Sequence, residues 1–266
     1  MDNVAAAVGM TLLAGLSTGI GGLITYFSRR PNARFLCVSL GFSAGVMIYV
    51  SMVELFAQSK EILTGSLGAS GYPAAVVSFF GGMLLIALID RLVPEYENPH
   101  EMTYLDGDSD RLAADSGKMM RMGLITALAI SIHNFPEGMA TFVSALQGEG
   151  LALPITMAIA IHNIPEGVAV AVPLFYATGS RKKALGYSLL SGLSEPMGAL
   201  IGYMLLRPFM SDTLMGILFG AIAGVMVYIS LDELLPSAEE YGEHHQAMLG
   251  VIAGMAVMAV SLLLFA

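Results

Sequence analysis

Two copies of one short motif carry side chains that can bind a metal ion. Residues 131–138 read SIHNFPEG and residues 160–167 read AIHNIPEG, so the two copies are 29 positions apart. In each copy a histidine precedes a glutamate by four residues, which places both side chains on one face of a helix. The candidate metal ligands in the two copies are His133, Asn134, Glu137, His162, Asn163 and Glu166.

A later segment, residues 192–196, adds a further carboxylate beside a proline and reads GLSEP. We therefore include Glu195 among the candidate ligands. The prolines of the two motifs each remove one helical hydrogen bond, so we expect a kink and a free carbonyl group in both helices. Each motif ends in a glycine, Gly138 or Gly167, which lets another helix or an ion approach closely.

The donor types indicate which ions this cluster would bind. Mixed imidazole and carboxylate ligation suits Zn, Fe(II), Mn, Co or Ni, whereas Ca and Mg prefer sites made of oxygen alone. Glu137 and Glu166 could each bridge two ions, so the residues leave open whether one or two are bound. The single cysteine, Cys37, excludes a disulfide and a cysteine-cluster site.

The composition identifies the solvent in which these residues must lie. Of the 266 residues, 56% are apolar and 12% are charged, and the mean hydropathy is +0.73. A soluble domain carries about 25% charged residues, so we predict an all-α polytopic membrane protein. Disorder, a secreted disulfide scaffold and a nucleic-acid partner are excluded, and the net charge of -9 also opposes phosphate binding.

Eight apolar runs are long enough to span a bilayer, at about 20 residues each. The first follows an acid with no Lys or Arg before it, so we expect it to remain as a helix and not to be a signal peptide. We treat residues 1–266 as one transmembrane domain with a flexible acidic loop at about 95–119. The predicted spans are 4–27, 35–58, 72–94, 121–146, 151–177, 184–207, 212–236 and 246–266.

Basic residues predict the orientation of these spans. Ten of the 12 Lys and Arg residues follow the first, third and fifth runs, and only Lys60 and Arg207 fall on the opposite side. The positive-inside rule therefore predicts that both termini lie outside and that the acidic loop lies in the cytoplasm. His133 and His162 then lie near the bilayer centre, where an acid costs several kcal/mol and is a functional candidate.

An internal repeat relates the second run to the seventh. Residues 41–55 read GFSAGVMIYVSMVEL and residues 220–234 read GAIAGVMVYISLDEL, with nine of fifteen positions identical at an offset of 179. The predicted orientation makes these copies inverted, and the two histidine motifs are inverted as well. Inverted repeats with broken helices at the midplane are typical of secondary transporters.

The sequence leaves open the roles of several polar residues and one alternative function. Glu54, Asp232 and Glu233 lie nearer the helix ends, and His244 and His245 form a weak pair in a polar loop. An intramembrane metal-dependent hydrolase could also use a buried His–Glu centre to activate water. A haem or quinone protein is disfavoured by the glutamate that follows each histidine, and the chain has no P-loop for ATP.

With these motifs in place, the chain resembles the ZIP family of divalent metal transporters. HNFPEG, HNIPEG, SGLSEP and LDELLP carry the resemblance, which covers essentially the full length. It implies eight transmembrane helices in a 3+2+3 arrangement with a binuclear centre. One metal site would use His133, Glu137, His162 and Glu166, and the second would use Asn134, Glu137, Asn163, Glu166 and Glu195.

The resemblance also implies the activity. We expect a transporter, not an enzyme, that imports Zn²⁺ and, with broad selectivity, Fe²⁺, Mn²⁺, Co²⁺ and Cd²⁺ across a bacterial inner membrane. The metal is cargo, and no separate cofactor is expected. The partners are the divalent ion and the lipid bilayer, with no nucleic acid, and the oligomeric state stays open between monomer and homodimer.

Overall fold

The computed structural model describes residues 2–27, 33–92, 134–146 and 148–265, and every regular element among them is helical. His133, the first half of the fourth predicted span and the acidic loop lie outside the described residues. The helices are α1 (Asp2–Phe27), α2 (Ala33–Val50), α3 (Phe56–Leu67), α4 (Gly71–Leu92), α5 (134–146), α6 (Glu149–Thr178), α7 (Arg181–Gly192), α8 (Ser194–Leu206), α9 (Asp212–Ile229), α10 (Leu235–Tyr241) and α11 (His244–Phe265).

These helices confirm a multi-pass membrane protein. The stretch Arg34–Ile89 holds two predicted spans, because the chain turns at Gly68 with a φ of +60° and continues into α4. Seven of the eight predicted runs coincide with described apolar helices, while eight spans in a 3+2+3 arrangement remain a prediction. Six described stretches are long and apolar enough to cross a membrane: Val4–Phe27, Arg34–Ile89, Ala152–Val172, Arg181–Phe209, Asp212–Glu240 and His244–Leu264.

Large apolar side chains cover the outer surface of these helices. Leu264 is 78% exposed, Met204 is 74% exposed and Val77 is 72% exposed. In water such a surface would be an aggregation liability, but in lipid it costs nothing, because the hydrocarbon tails are as apolar as the side chains. The exposure pattern therefore agrees with the composition.

The helices pack into two groups, and each group contains helices from both the first and the second part of the chain. The first group, here called the motif bundle, consists of α1, α5, α6, α7 and α8. The second group, here called the repeat bundle, consists of α2, α3, α4, α9, α10 and α11. The two bundles meet where α2 packs against α6, and this seam passes beside the histidine motif.

The internal repeat contributes equivalent close contacts within the repeat bundle. Gly45 of α2 lies against the carbonyl oxygen of Val251, and its counterpart Gly224 lies against that of Phe79. A Cβ atom at either glycine would overlap the neighbouring backbone. The small residues therefore let α2 approach α11, and α9 approach α4, as the small-xxx-small spacing predicts.

Both copies of the repeat also widen into a π-helical turn at the same place. The two turns are Ser51–Leu55 and Ser230–Leu234, which are related by the offset of 179. Ser51 and Ser230 begin these turns and are fully buried. The backbone thus repeats as well as the sequence, although the residues gave no sign of the widened turns.

The prolines beside the candidate ligands affect their helices differently. α6 remains helical from Glu149 to Thr178 across Pro165, and a kink there stays a prediction. The chain is interrupted at Leu193, between α7 and α8, three residues before Pro196, which cannot donate a helical hydrogen bond to the carbonyl of Gly192. Membrane helices tolerate a proline because neighbouring helices and side chains can satisfy the freed backbone groups.

Candidate metal centre

Three predicted ligands meet between α5 and α6. The Nε2 atom of His162 lies 3.1 Å from Oε1 of Glu137 and 3.9 Å from Oε1 of Glu166. The donor atoms of the three side chains all lie within 4.8 Å of one another, and the three side chains are completely buried. A divalent ion could therefore contact an imidazole and two carboxylates here.

Helix geometry places two of these ligands without help from the rest of the fold. His162 and Glu166 are four residues apart on α6 and so share one face, as the spacing predicted. Glu137 reaches them from α5, which makes the centre a contact between the two motif helices. Each copy of the motif thus supplies at least one ligand to a shared centre.

The motif glycines bring further helices up to this centre. A Cβ at Gly138 would overlap the carbonyl oxygen of Glu195 on α8, and a Cβ at Gly167 would overlap that of Thr18 on α1. The Ser188 hydroxyl donates to the carbonyl oxygens of both Thr18, at 2.8 Å, and Gly167, at 3.2 Å. The sequence left open whether a helix or an ion would approach these glycines, and in both cases it is a helix.

A second polar group adjoins the first through Asn163. Its amide nitrogen donates to Oε1 of Glu195 and, at 2.9 Å, to the carbonyl oxygen of Ala14 on α1. The amide nitrogen of Asn134 donates to the carbonyl oxygen of Ser191 at 3.3 Å. Both asparagines are fully buried, as is Glu195.

These amide contacts leave oxygen atoms as potential ligands. Among the described residues, Oδ1 of Asn134, Oδ1 of Asn163 and Oε2 of Glu195 accept no hydrogen bond. A buried acceptor without a partner is costly, and most such atoms in native structures are satisfied. The three oxygen atoms are therefore suited to a cation or to its water ligands.

The charge of the cluster points the same way. Glu137, Glu166 and Glu195 are fully buried, and the sequence from 122 to 180 contains no Lys or Arg. Removing carboxylates from water is costly unless an opposite charge accompanies them. A divalent cation supplies that charge, so the arrangement is suited to binding one and not to retaining a substrate anion.

Most of the predicted site residues are thus brought together. Glu137, His162 and Glu166 form the triad, while Asn163 links the triad helix to Glu195 and Asn134 lies buried on α5. His133 lies outside the described residues, and its part in the centre stays a prediction.

The sequence reasoning missed one residue at the centre, Ser43 of α2. Its hydroxyl donates to the carbonyl oxygen of His162 at 3.3 Å, so it joins the repeat bundle to the motif bundle. The repeat comparison could not single it out, because the matching position in the second copy is Ile222. The available signal was a serine within an apolar run, and the structure shows that its hydroxyl is fully buried.

The remaining polar candidates lie apart from the triad. Glu54 lies in the first π-helical turn and accepts a hydrogen bond of 3.4 Å from Gln58, while Asp232 and Glu233 are half-buried in the second turn. The expectation that His244 and His245 lie in a loop is wrong, because both belong to the first turn of α11. His244 is exposed and pairs with Glu239 through its Nδ1 atom.

Comparison with known proteins gives a consistent match. The family model described as ZIP Zinc transporter matches residues 92–262. A protein named Zinc transporter ZupT from Clostridium perfringens is 60% identical over 278 residues, which cover 100% of this chain and 98% of that protein. Proteins of the same name from Streptococcus mutans and Chlorobium chlorochromatii are 61% identical over 257 residues and 60% identical over 265 residues, with coverage of 96% and 99% of both chains.

Proposed function

This chain belongs to the ZIP zinc transporter family, whose members import divalent metal and are not enzymes, and on that premise we propose that its cargo is Zn²⁺. We propose Fe²⁺, Mn²⁺, Co²⁺ and Cd²⁺ as further cargo, because imidazole and carboxylate ligands suit this group of ions. The direction is into the cytoplasm of a bacterial cell, with both termini of the chain outside.

The observation that carries the proposal is the buried triad. Glu137, His162 and Glu166 present three donor atoms within 4.8 Å of one another at a position that the membrane spans bury completely. A hydrated ion would exchange its water for these ligands, with the two carboxylates offsetting its charge. Asp232 or Glu233 would be passed on release to the cytoplasm.

We propose two ion positions that share the carboxylates of the triad. The first would use Glu137, His162 and Glu166, joined by His133 of the first motif. The second would use Asn134, Asn163 and Glu195 together with the same two shared carboxylates. The amide and carboxylate oxygens that accept no hydrogen bond among the described residues support the second position.

Alternating access would operate at the seam between the two bundles. The motif bundle holds the triad, and the repeat bundle contacts it through α2, including the hydrogen bond from Ser43 to His162. A relative shift of the two bundles would open the centre to one side of the membrane and then to the other. The inverted repeat supports such a pair of related states.

The intramembrane hydrolase is not favoured. The relatives matched over the whole chain are named as zinc transporters, and hydrolysis has no need of the inverted symmetry. A buried metal centre alone fits both activities, so the family assignment is what separates them.

The test is Zn²⁺ uptake into proteoliposomes that contain a trapped metal indicator. The unsubstituted chain should show saturable uptake, and His162→Ala should lose it. His245→Ala is the matched control, because it removes an imidazole from the exposed first turn of α11, and it should retain uptake. Uptake that survives His162→Ala would contradict the proposed route through the triad.

A further inference from the structure

A cavity of about 280 Å³ lies on the seam between the two bundles, away from the triad. It is bounded by the first π-helical turn, the first residues of α6 and the last part of α11. The cavity is open to the surface, and its lining is mostly apolar, with contributions from Val53, Gly150, Pro154, Leu262 and Leu263. Its polar members are Tyr49 and Glu54. Glu54 is therefore the charged group that this cavity contains.

The cavity is large enough for a metal ion that still carries water. Each water molecule occupies about 30 Å³, so six waters around an ion would need about 180 Å³. The cavity exceeds that volume. A hydrated divalent cation could thus enter without first losing its shell, which the tighter triad would require it to lose.

The charge of Glu54 lacks a basic partner within the described part of the chain. Its carboxylate accepts one long hydrogen bond, 3.4 Å, from Gln58, and no Lys or Arg among the described residues forms an ion pair with it. It is half-buried in a membrane-spanning helix, where a carboxylate is costly to retain without a role. A passing cation would supply the missing charge.

The position of the cavity connects it to the triad. Helix α6 carries Pro154 at the cavity and His162 at the triad, and eight residues of helix cover about 12 Å. Helix α2 follows the same seam, because Ser43 contacts His162 and Glu54 lies further along the same run. The cavity and the triad therefore lie at two positions along the same boundary between the bundles.

We propose that Glu54 and this cavity hold a hydrated divalent cation on the outer side of the membrane, before the ion reaches the triad. This inference rests on the proposed import function and its orientation. The site binds through the water shell of the ion and raises its local concentration at the seam. Its loss should therefore weaken apparent affinity and leave the maximal rate unchanged.

The experiment measures initial rates of Zn²⁺ uptake into proteoliposomes against external Zn²⁺ concentration. Glu54→Gln should raise the KM by about tenfold with an unchanged maximal rate, since a charged cleft concentrates its counter-ion by at least that factor. Glu61→Gln removes the same charge from the exposed surface of α3 and should change neither parameter. Glu54→Asp should restore the low KM.

A second pair of variants tests the cavity without altering Glu54. Gly150→Lys adds an ammonium group to the cavity wall at a position where a side chain meets open space, and it should raise the KM as Glu54→Gln does. Gly65→Lys places the same charge on α3, also in open space and outside the cavity. It should leave the KM unchanged, so this pair remains informative if Glu54→Gln fails to fold.

The outcomes separate this inference from the proposed function. If the unsubstituted chain takes up Zn²⁺ while Glu54→Gln and Gly150→Lys keep its KM within about twofold, the outer cation site at Glu54 is refuted and the proposed import function is retained. A fall in maximal rate at constant KM would also refute it, because it would assign Glu54 a structural role. If the unsubstituted chain takes up no Zn²⁺, both the proposed import function and the outer cation site are refuted.

Discussion

Gly167→Ala should separate the helices that support the triad. The new Cβ would overlap the carbonyl oxygen of Thr18 and lie 2.9 Å from the hydroxyl oxygen of Ser188. That hydroxyl is held in place by two carbonyl groups, one of them on Gly167 itself. The Cβ atom is fixed by the backbone of α6 and meets a backbone atom of α1. Rotating a side chain therefore cannot relieve the overlap, and α1 must move away from α6.

The magnitude follows from the size of that movement. Overpacking of a close contact costs about 1–3 kcal/mol, which corresponds to a fall in Tm of about 2–12 °C, at about 2–4 °C per kcal/mol. The larger effect should be on transport. Glu166 is the neighbour of Gly167 and a member of the triad, and a displacement of about 1 Å at a reactive centre can cost about a hundredfold in rate.

The assay combines thermal unfolding in detergent with Zn²⁺ uptake into proteoliposomes. Gly186→Ala is the control, because a Cβ there meets open space on the exposed side of α7. Alanine favours a helix over glycine by up to about 1 kcal/mol, so the control should be neutral or slightly more stable. A Gly167→Ala protein with unchanged Tm and uptake would refute the close-approach argument.

Three further predictions concern the triad and its neighbour. Glu166→Ala should nearly abolish Zn²⁺ uptake, and near-normal rates would contradict its role as a shared ligand. Uptake should fall as the external pH is lowered from 7 to 5, because imidazole and carboxylate groups must be deprotonated to bind metal; undiminished uptake at pH 5 would argue against ligation by histidine. Ser43→Ala should lower the uptake rate by about two- to tenfold, the equivalent of a hydrogen bond of 0.5–1.5 kcal/mol, and rates equal to those of Ser66→Ala, which alters an exposed serine of α3, would deny Ser43 a positioning role.

The sequence predicted three residues that the structure brings together, because the information that places them is local. The spacing of four between His162 and Glu166 determines their common helix face, whatever the rest of the chain does. The duplication of the motif supplied Glu137 as a partner, and the structure brings it to 3.1 Å from His162. Seven of the predicted apolar runs appear as helices for a similar reason, because length and composition alone define a span.

The grouping of the helices could not be predicted in this way. A soluble helix shows one apolar face, and that face reveals its neighbours. A membrane helix is apolar on every side, so the pattern of α2 does not reveal that it contacts both α11 and α6. Ser43 was missed for this reason, because its partner is a backbone carbonyl of another bundle.

The interruption at Leu193 was missed for a different reason. Pro165 and Pro196 are equal local signals, yet α6 continues as a helix across Pro165, while the run of α7 and α8 is interrupted three residues before Pro196. Gly192, whose carbonyl lacks a helical donor at Pro196, lies against the backbone of Gly15 on α1. The sequence marks both prolines alike, so it could not predict which of them would interrupt its helix.

The paired π-helical turns carry a record of how the chain arose. A π-helical turn contains one residue more than the α-helical turn it replaces, so each turn corresponds to a single inserted residue. The two turns begin at Ser51 and Ser230, in segments that share nine of fifteen residues. One insertion before the gene segment was duplicated explains both turns, whereas two later insertions would each have had to find the same position.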